Sequence, residues 1–248
     1  VGCLALMSDF GTALIFFVAF LCIAFLRTGD LPSIVMITAA AGFAGGIVLR
    51  FKPYVLARFA VWRHAWEYAQ EEGYQQTRTM SAVASGGLFG AGPEEAWLKY
   101  VGAANTDLVF GVVSEEFGLL LALCAAAAVI LLGIYALRAA GRSRSSFYAI
   151  AACATAAMLV FQTTLNVLGS VDLLPLTGVT FPFVSMGGSS MLSCWGLLAY
   201  LQAAAPPPVS VKAAPKAPAP AVKPPQATGF LDELGVATDD IFGKEDAR

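Results

Sequence analysis

The feature that most constrains this sequence is a series of long apolar stretches separated by polar segments. A helix of about 20 apolar residues crosses the hydrocarbon core of a bilayer, because each residue adds about 1.5 Å along the axis. Backbone in hydrocarbon must satisfy its own polar groups, which favours helices over open strands. The sequence therefore predicts an all-α, polytopic membrane protein with five transmembrane helices, at residues 10–26, 31–51, 108–137, 147–168 and 183–201.

Composition supports this class and excludes several functions. Hydrophobic residues make up 58% of the 248 residues and charged residues 13%, unlike a soluble domain. A net charge of -2 leaves no basic surface for nucleic acid, so no nucleic-acid partner is expected. His64 is the sole histidine, which excludes a site with two imidazoles. The 5 cysteines show no CxxC spacing and are interpreted as small apolar residues, so no metal site is predicted from them.

Basic residues in the short connections predict the orientation. Positively charged connections of membrane proteins stay in the cytoplasm. The rule places the C-terminus in the cytoplasm, and residues 52–106 and 169–182 on the outer face. The basic residues that carry the prediction follow the first, third and fifth apolar stretches: Arg27, Arg138, Arg142, Arg144, Lys212, Lys216 and Lys223.

Three regions are predicted along the chain. Residues 1–204 form the transmembrane domain, with a large outer loop at 52–106, and Val1–Met7 is interpreted as the end of a helix that begins upstream. Residues 205–227 are rich in Ala, Pro and Lys, a composition typical of an extended cytoplasmic linker. Residues 228–248 form an acidic cytoplasmic tail, either solvated or a docking peptide for a partner.

Carboxylates are the first candidates for chemistry on the outer face. Asp107 stands where the outer loop meets the third apolar stretch, where it could accept a proton from a sugar hydroxyl or hold a cation. Alternatively, Thr106 caps the helix and Asp107 complements its dipole. Glu115 and Glu116 lie deeper in the same stretch, where acids are costly, and are interpreted as structural or network residues.

Polar side chains in the last two apolar stretches supply further candidates. Gln162 and Asn166 are four residues apart and share a helix face, where they either bind substrate or bond neighbouring helices. The glycine-rich Pro182–Ser190 segment opens a helix whose free N–H groups suit a phosphate. A close helix crossing explains the same small residues.

Six ordered blocks resemble the SEDS family, the FtsW, RodA and SpoVE group of shape, elongation, division and sporulation proteins. The family has ten transmembrane helices, so the resemblance implies helices six to ten here, and we expect the chain alone to be inactive. The family usually has His where Asn105 stands and an acid where Ala103 stands. The blocks are Asp9-Phe10-Gly11-Thr12, Ser85 to Gly90, Asn105 to Phe110, Ser114 to Gly118, Leu174 to Gly178 and Pro182 to Ser190.

The resemblance implies a peptidoglycan glycosyltransferase of the bacterial cytoplasmic membrane that polymerises lipid II at the outer face, in division or elongation. Asp107 would be its catalytic residue. Lipid II and a class B penicillin-binding protein, the transpeptidase, would be its partners. A divalent cation, or bases such as Arg63, Arg78 or Lys99, would neutralise the pyrophosphate. The expected substrate-binding residues are Asn105, Thr106, Gln162, Asn166, Thr177, Ser185, Gly187, Gly188 and Ser189.

Two other functions stay open at this point. Polar breaks at membrane depth also mark transport paths, so a lipid II flippase or transporter is one alternative. The other is a noncatalytic scaffold that recruits a transpeptidase. Replacing Asp107 by Asn would abolish polymerisation by an enzyme and leave a scaffold intact.

Overall fold

The computed structural model describes residues 9–51, 53–143 and 145–204. Every regular element within these residues is helical, which confirms the all-α prediction. The predicted linker and acidic tail lie outside the described residues, as do Val1–Met7. The helices are α1 (Phe10–Thr28), α2 (Leu31–Phe51), α3 (Pro53–Val61), α4 (Tyr74–Gly86), α5 (Val109–Phe117), α6 (Leu119–Arg142), α7 (Ser146–Ser170) and α8 (Gly188–Ala204), with a 3-10 turn at Leu98–Tyr100.

Three of these helices, α1, α6 and α7, are long and apolar enough to cross a bilayer. The apolar part of α2, Leu31–Ile47, is shorter, and α8 has 17 residues. Large apolar side chains such as Phe20, Phe43 and Leu131 point outward, as lipid-facing residues do. Three membrane spans therefore follow from length and composition, and the count of five stays a prediction.

Small residues hold α6 against α7. The buried positions of α6 recur every three or four residues, which places them on one stripe of the helix. A Cβ atom on Gly133 would lie 2.6 Å from Cγ2 of Val160 on α7, so only glycine permits this approach. Such stripes let two helix backbones pack closely in a membrane. The stripe consists of Ala122, Ala126, Val129, Gly133, Ala136, Ala139 and Ala140.

The third predicted helix, residues 108–137, is wrong as a single element, because the chain breaks at Gly118 between α5 and α6. Gly118 has φ 92° and ψ 156°, and a Cβ atom there would lie 2.3 Å from the carbonyl oxygen of Leu88. The N–H groups of Leu119 and Leu120 donate to the carbonyls of Gly87 (2.9 Å) and Leu88 (3.3 Å). The glycine-rich segment after α4 thus supplies acceptors for the first turn of α6.

Two further boundaries differ from the prediction. Helix α8 begins at Gly188 rather than at residue 183, because residues 181–185 form a turn in which Phe183 has φ 63°. The predicted outer loop is also partly helical, since α3, α4 and the 3-10 turn fall within it. The turn before α8 therefore places irregular backbone at Ser185 and Gly187, two of the residues predicted to bind substrate.

Candidate active site

Asp107 lies in a tight turn just before α5, not in its first helical turn. The helix begins at Val109 after Leu108, with no side-chain cap, so the alternative in which Thr106 caps it is wrong. Ala103 has φ 64°, and its carbonyl accepts from the N–H groups of Thr106 (3.2 Å) and Asp107 (2.9 Å). A left-handed alanine is uncommon and marks a locally constrained backbone.

Three consecutive carbonyls of this turn are held by other segments. The carbonyl of Asn105 accepts from the N–H of Met186 at 2.9 Å. That of Thr106 accepts from the buried hydroxyl of Ser185 at 2.6 Å, and that of Asp107 from Nδ2 of Asn166 at 2.9 Å. The backbone that carries Asp107 is therefore fixed by α7 and by the turn before α8.

Gln162 and Asn166 share a face of α7, as their spacing predicts, and both bind the backbone of the loop after it. Nδ2 of Asn166 also donates to the carbonyl of Val179 at 2.7 Å. Nε2 of Gln162 donates to the carbonyl (2.9 Å) and the hydroxyl (3.0 Å) of Thr180. Oδ1 of Asn166 is buried and has no hydrogen-bond partner among the described residues. Both amides thus fix the loop rather than a neighbouring helix, and their binding of substrate stays a prediction.

The side chain of Asp107 faces Gly178 and Arg58. Gly178 has φ 70°, and a Cβ atom there would lie 3.2 Å from Oδ2 of Asp107 and 3.6 Å from Nη1 of Arg58. Nη1 of Arg58 donates to the carbonyl of Leu176 at 2.8 Å. Glycine at 178 therefore leaves space in which a carboxylate and a guanidinium approach each other.

Opposing effects set the protonation of Asp107. Burial is the largest of them and raises the pKa of the carboxyl group, because it disfavours the charged form. A hydrogen bond with Thr106 and the positive charge of Arg58 lower the pKa, and the negative charge of Asp9 raises it. The net result is a carboxyl group whose pKa lies above its usual value, in the direction that suits a general base.

Asp9 brings a second carboxylate to the site. Its Oδ1 accepts from the N–H of Thr12 at 3.1 Å, which caps α1. Within the described part of the chain, no group of three or more His, Cys, Asp and Glu side chains gathers. Asp9 and Asp107 are two carboxylates whose charges act on each other at this site.

Two cavities flank the Leu176–Thr180 segment. An apolar cavity of 560 Å³ lies on the side of α1, α2 and α3, and residues such as Phe10, Phe59 and Leu165 line it. A more polar cavity of 470 Å³ lies between α1, α7 and α8, with Asp9 and Gln162 in its wall. Thr177 lines the apolar cavity and Gly178 the polar one, and the carboxylate of Asp107 lies beside Gly178.

The other predicted residues fall into three groups. Thr177 lines the apolar cavity, and Ser189 the polar one. Gly187 and Gly188 stand at the start of α8, and no hydrogen bond joins them to the Asp107 turn among the described residues. The side chain of Asn105 is exposed.

Glu115 lies away from the Asp107 carboxylate. Its side chain is 1% exposed and accepts from the N–H groups of Trp97 (3.1 Å) and Leu98 (3.0 Å). This arrangement fixes the 3-10 turn against α5. Glu116 is half-buried, and its carbonyl accepts from the N–H of Gly92 at 3.2 Å.

Arg58 and Gly178 are the residues that inspection of the sequence missed as parts of the site. Arg58 stands 49 positions before Asp107, in a segment with several other bases, and nothing in its local sequence marks it. Gly178 ends the Leu174 to Gly178 block of the family resemblance, which was the available signal. Asp9 belongs to another block of that resemblance, and the sequence alone assigns it no role.

Comparison with known proteins identifies the family. Residues 1–206 match the FtsW/RodA/SpoVE family, described as cell cycle proteins. The chain is 34% identical over 197 residues to the peptidoglycan glycosyltransferase RodA of Mycobacterium leprae, covering 78% of this chain and 42% of that protein. It is 33% identical over 200 residues to a probable peptidoglycan glycosyltransferase FtsW of Dichelobacter nodosus, covering 77% and 50%.

A solved structure and a third relative support the same family. The fold matches a chain of a peptidoglycan synthase complex, described as structurally coordinating polymerisation and crosslinking, with a TM-score of 0.63 and 25% identity over 82% of this chain and 58% of that one. A probable FtsW glycosyltransferase of Bacillus subtilis is 30% identical over 218 residues, covering 81% and 52%. The chain spans about half the length of these curated relatives.

Proposed function

The chain belongs to the FtsW/RodA/SpoVE family, and we propose that the intact protein is a peptidoglycan glycosyltransferase that polymerises lipid II. The observation that carries the proposal is the Asp107 carboxylate, which is fixed through its backbone and faces Gly178 and Arg58, a residue that lines the apolar cavity. Relatives over 30% identical are named peptidoglycan glycosyltransferases, which supports the same activity here.

In the proposed reaction, a hydroxyl oxygen of the acceptor sugar attacks the anomeric carbon of the donor. The bond from that carbon to the pyrophosphate oxygen breaks, and the lipid pyrophosphate leaves with the electron pair. Asp107 takes the proton of the attacking hydroxyl as general base, a role worth about 10²- to 10⁴-fold in rate. The raised pKa of Asp107 improves proton transfer, provided that the carboxyl is ionised before the reaction.

The cavities suit the two ends of such a substrate. The apolar cavity of 560 Å³ would take part of the polyprenyl chain, since its wall is built of aromatic and aliphatic side chains. The more polar cavity of 470 Å³ offers hydroxyl and amide groups to a sugar. A divalent cation between Asp9 and Asp107 would be an additional source of positive charge for the pyrophosphate.

We also propose the membrane topology of the protein and its partner. We place five transmembrane helices, α1, α2, α6, α7 and α8, in a bacterial cytoplasmic membrane, with Asp107 at the outer face and the C-terminus in the cytoplasm. A class B penicillin-binding protein is the proposed partner, supported by the match to a complex that couples polymerisation to crosslinking.

The test is polymerisation of labelled lipid II by the intact protein with its transpeptidase partner in detergent. Wild type is compared with Asp107→Asn and with Asp30→Asn, an exposed carboxylate between α1 and α2. We expect glycan chains from wild type and Asp30→Asn and none from Asp107→Asn. Equal chains from Asp107→Asn would remove this residue from the chemistry. No chains from wild type, with lipid II translocated across proteoliposomes, would replace the polymerase by a flippase.

A further inference from the structure

Arg58 lies on the boundary between an apolar cavity and a pocket of mixed polarity. It lines the apolar cavity of 560 Å³ and also a second pocket of 210 Å³, whose wall includes the polar side chains Glu72, Gln75, Gln76 and Asp172. A molecule with an apolar tail and a polar head that occupied both would cross this boundary beside the guanidinium group.

The guanidinium is also held close to Asp107. Its Nη1 donates to the carbonyl of Leu176 at 2.8 Å, which fixes it against the loop before Gly178. The Cβ position of Gly178 lies 3.6 Å from Nη1 of Arg58 and 3.2 Å from Oδ2 of Asp107. The two charged groups are therefore separated by no more than the sum of these distances.

We propose that Arg58 binds the diphosphate of a polyprenyl-diphosphate-linked sugar, with the lipid in the apolar cavity and the anomeric carbon near Asp107. The proposal rests on the proposed function and names the residue that recognises its donor. A guanidinium group donates two parallel hydrogen bonds to phosphate oxygens and keeps its charge at any physiological pH. It would neutralise the negative charge of the diphosphate in the bound donor.

The bases named from the sequence lie elsewhere. The Arg78 guanidinium stacks over the Tyr74 ring at 5.1 Å. Lys99 donates to the carbonyl of Pro93 and lies 5.4 Å from the Tyr100 ring. The Arg63 side chain is exposed. Arg58 is the base whose charge acts on Asp107, and it also lines the apolar cavity.

The experiment measures equilibrium binding of labelled undecaprenyl diphosphate and of undecaprenol to the intact protein in nanodiscs. The variants are Arg58→Gln, Arg58→Lys and the control Arg27→Gln, an exposed arginine in the last turn of α1. We expect Arg58→Gln to raise the Kd for the diphosphate by about 10- to 100-fold, the range for lost hydrogen bonds to a charged group. The Kd of Arg58→Lys should lie between those of wild type and Arg58→Gln, because lysine keeps the positive charge but cannot donate two parallel hydrogen bonds. Arg27→Gln should retain binding.

Binding of undecaprenol, which lacks the diphosphate, distinguishes a loss of diphosphate recognition from a disturbed fold. A variant that merely disturbed the loop through Leu176 would lose both lipids, whereas loss of diphosphate recognition leaves undecaprenol binding unchanged. In turnover, Arg58→Gln should raise KM for lipid II more than it lowers kcat. Unchanged diphosphate affinity in Arg58→Gln, or equal loss of both lipids, would overturn the proposal.

The outcome is independent of whether the protein polymerises. A wild-type protein that makes no glycan but binds the diphosphate through Arg58 would refute the polymerase and support this site. A protein that makes glycan, and whose Arg58→Gln variant binds the diphosphate as wild type does, would refute this site alone.

Discussion

Gly178 offers the sharpest test of the site geometry, because replacing it by Ala adds a single methyl group between Asp107 and Arg58. The added Cβ atom would lie 3.2 Å from Oδ2 of Asp107, so the carboxylate must move by a few tenths of an ångström. A misplacement of about 1 Å can cost about 10²-fold in rate. We therefore expect Gly178→Ala to lower kcat for lipid II polymerisation by about tenfold.

Backbone strain must be separated from this displacement. Gly178 has φ 70°, and an L-residue in the left-handed region costs about 1 to 2 kcal/mol. Gly29, which ends α1, has φ 64° and nothing within 4 Å of its Cβ position. Gly29→Ala therefore has the same strain without the contact, and is the matched control.

The assay pairs polymerisation rate with thermal unfolding in detergent for both variants. The Tm of each variant should fall to a similar extent. Only Gly178→Ala should lose activity. If the two variants polymerise lipid II equally well, the carboxylate does not act from its position beside Gly178.

Two further predictions concern buried carboxylates. Burial holds the pKa of Asp107 above its unfolded value, so the folded state binds its proton more tightly, and stability falls as pH rises from the unfolded pKa to the folded one. Asp107→Asn should therefore raise Tm at neutral pH and leave it unchanged at pH below both values, and a lower Tm at neutral pH would contradict this. Glu115→Ala leaves the buried N–H of Leu98 and the partly buried N–H of Trp97 without an acceptor, at about 1 to 3 kcal/mol for a buried group, so its Tm in detergent should fall well below that of Glu116→Ala. Equal losses would show that the Glu115 bonds contribute little.

Sequence was informative where the signal is local. Long apolar stretches predicted α1, α6 and α7, because burial in lipid requires apolar residues throughout a helix. The spacing of Gln162 and Asn166 placed them on one face of α7, since residues four apart adjoin on a helix. Family membership, which the comparison with relatives confirms, directed attention to Asp107.

Sequence was uninformative where remote segments decide the structure. The break at Gly118 was missed because residues 108–137 are apolar almost throughout, and one glycine costs a helix only about 1 kcal/mol. The acceptors for the next turn come from Gly87 and Leu88, about thirty residues earlier in the chain. Arg58 was missed for the same reason, because its neighbours Leu176 and Gly178 are remote in sequence.

The two charged groups of the site are supported by different parts of the fold, and this has a kinetic consequence. The turn of Asp107 is held by α7 and by the turn before α8, with Ser185 donating to the carbonyl of Thr106. Arg58 comes from α3 and is tied to the loop at Leu176. Loss of the Ser185 bond should displace the base and lower kcat, whereas loss of the Arg58 charge should weaken donor binding and raise KM.

A double-mutant cycle tests this separation. Ser185→Ala and Arg58→Gln are compared with wild type and the double variant in lipid II polymerisation, with kcat and KM measured for each. Interactions that share no partner usually add within about 0.3 to 0.5 kcal/mol. We expect Ser185→Ala to act on kcat, Arg58→Gln on KM, and the double variant to show the sum. A coupling energy well above that limit would mean that Arg58 and the Ser185 bond act as one unit. Displacing Asp107 would then also displace Arg58, which binds the donor.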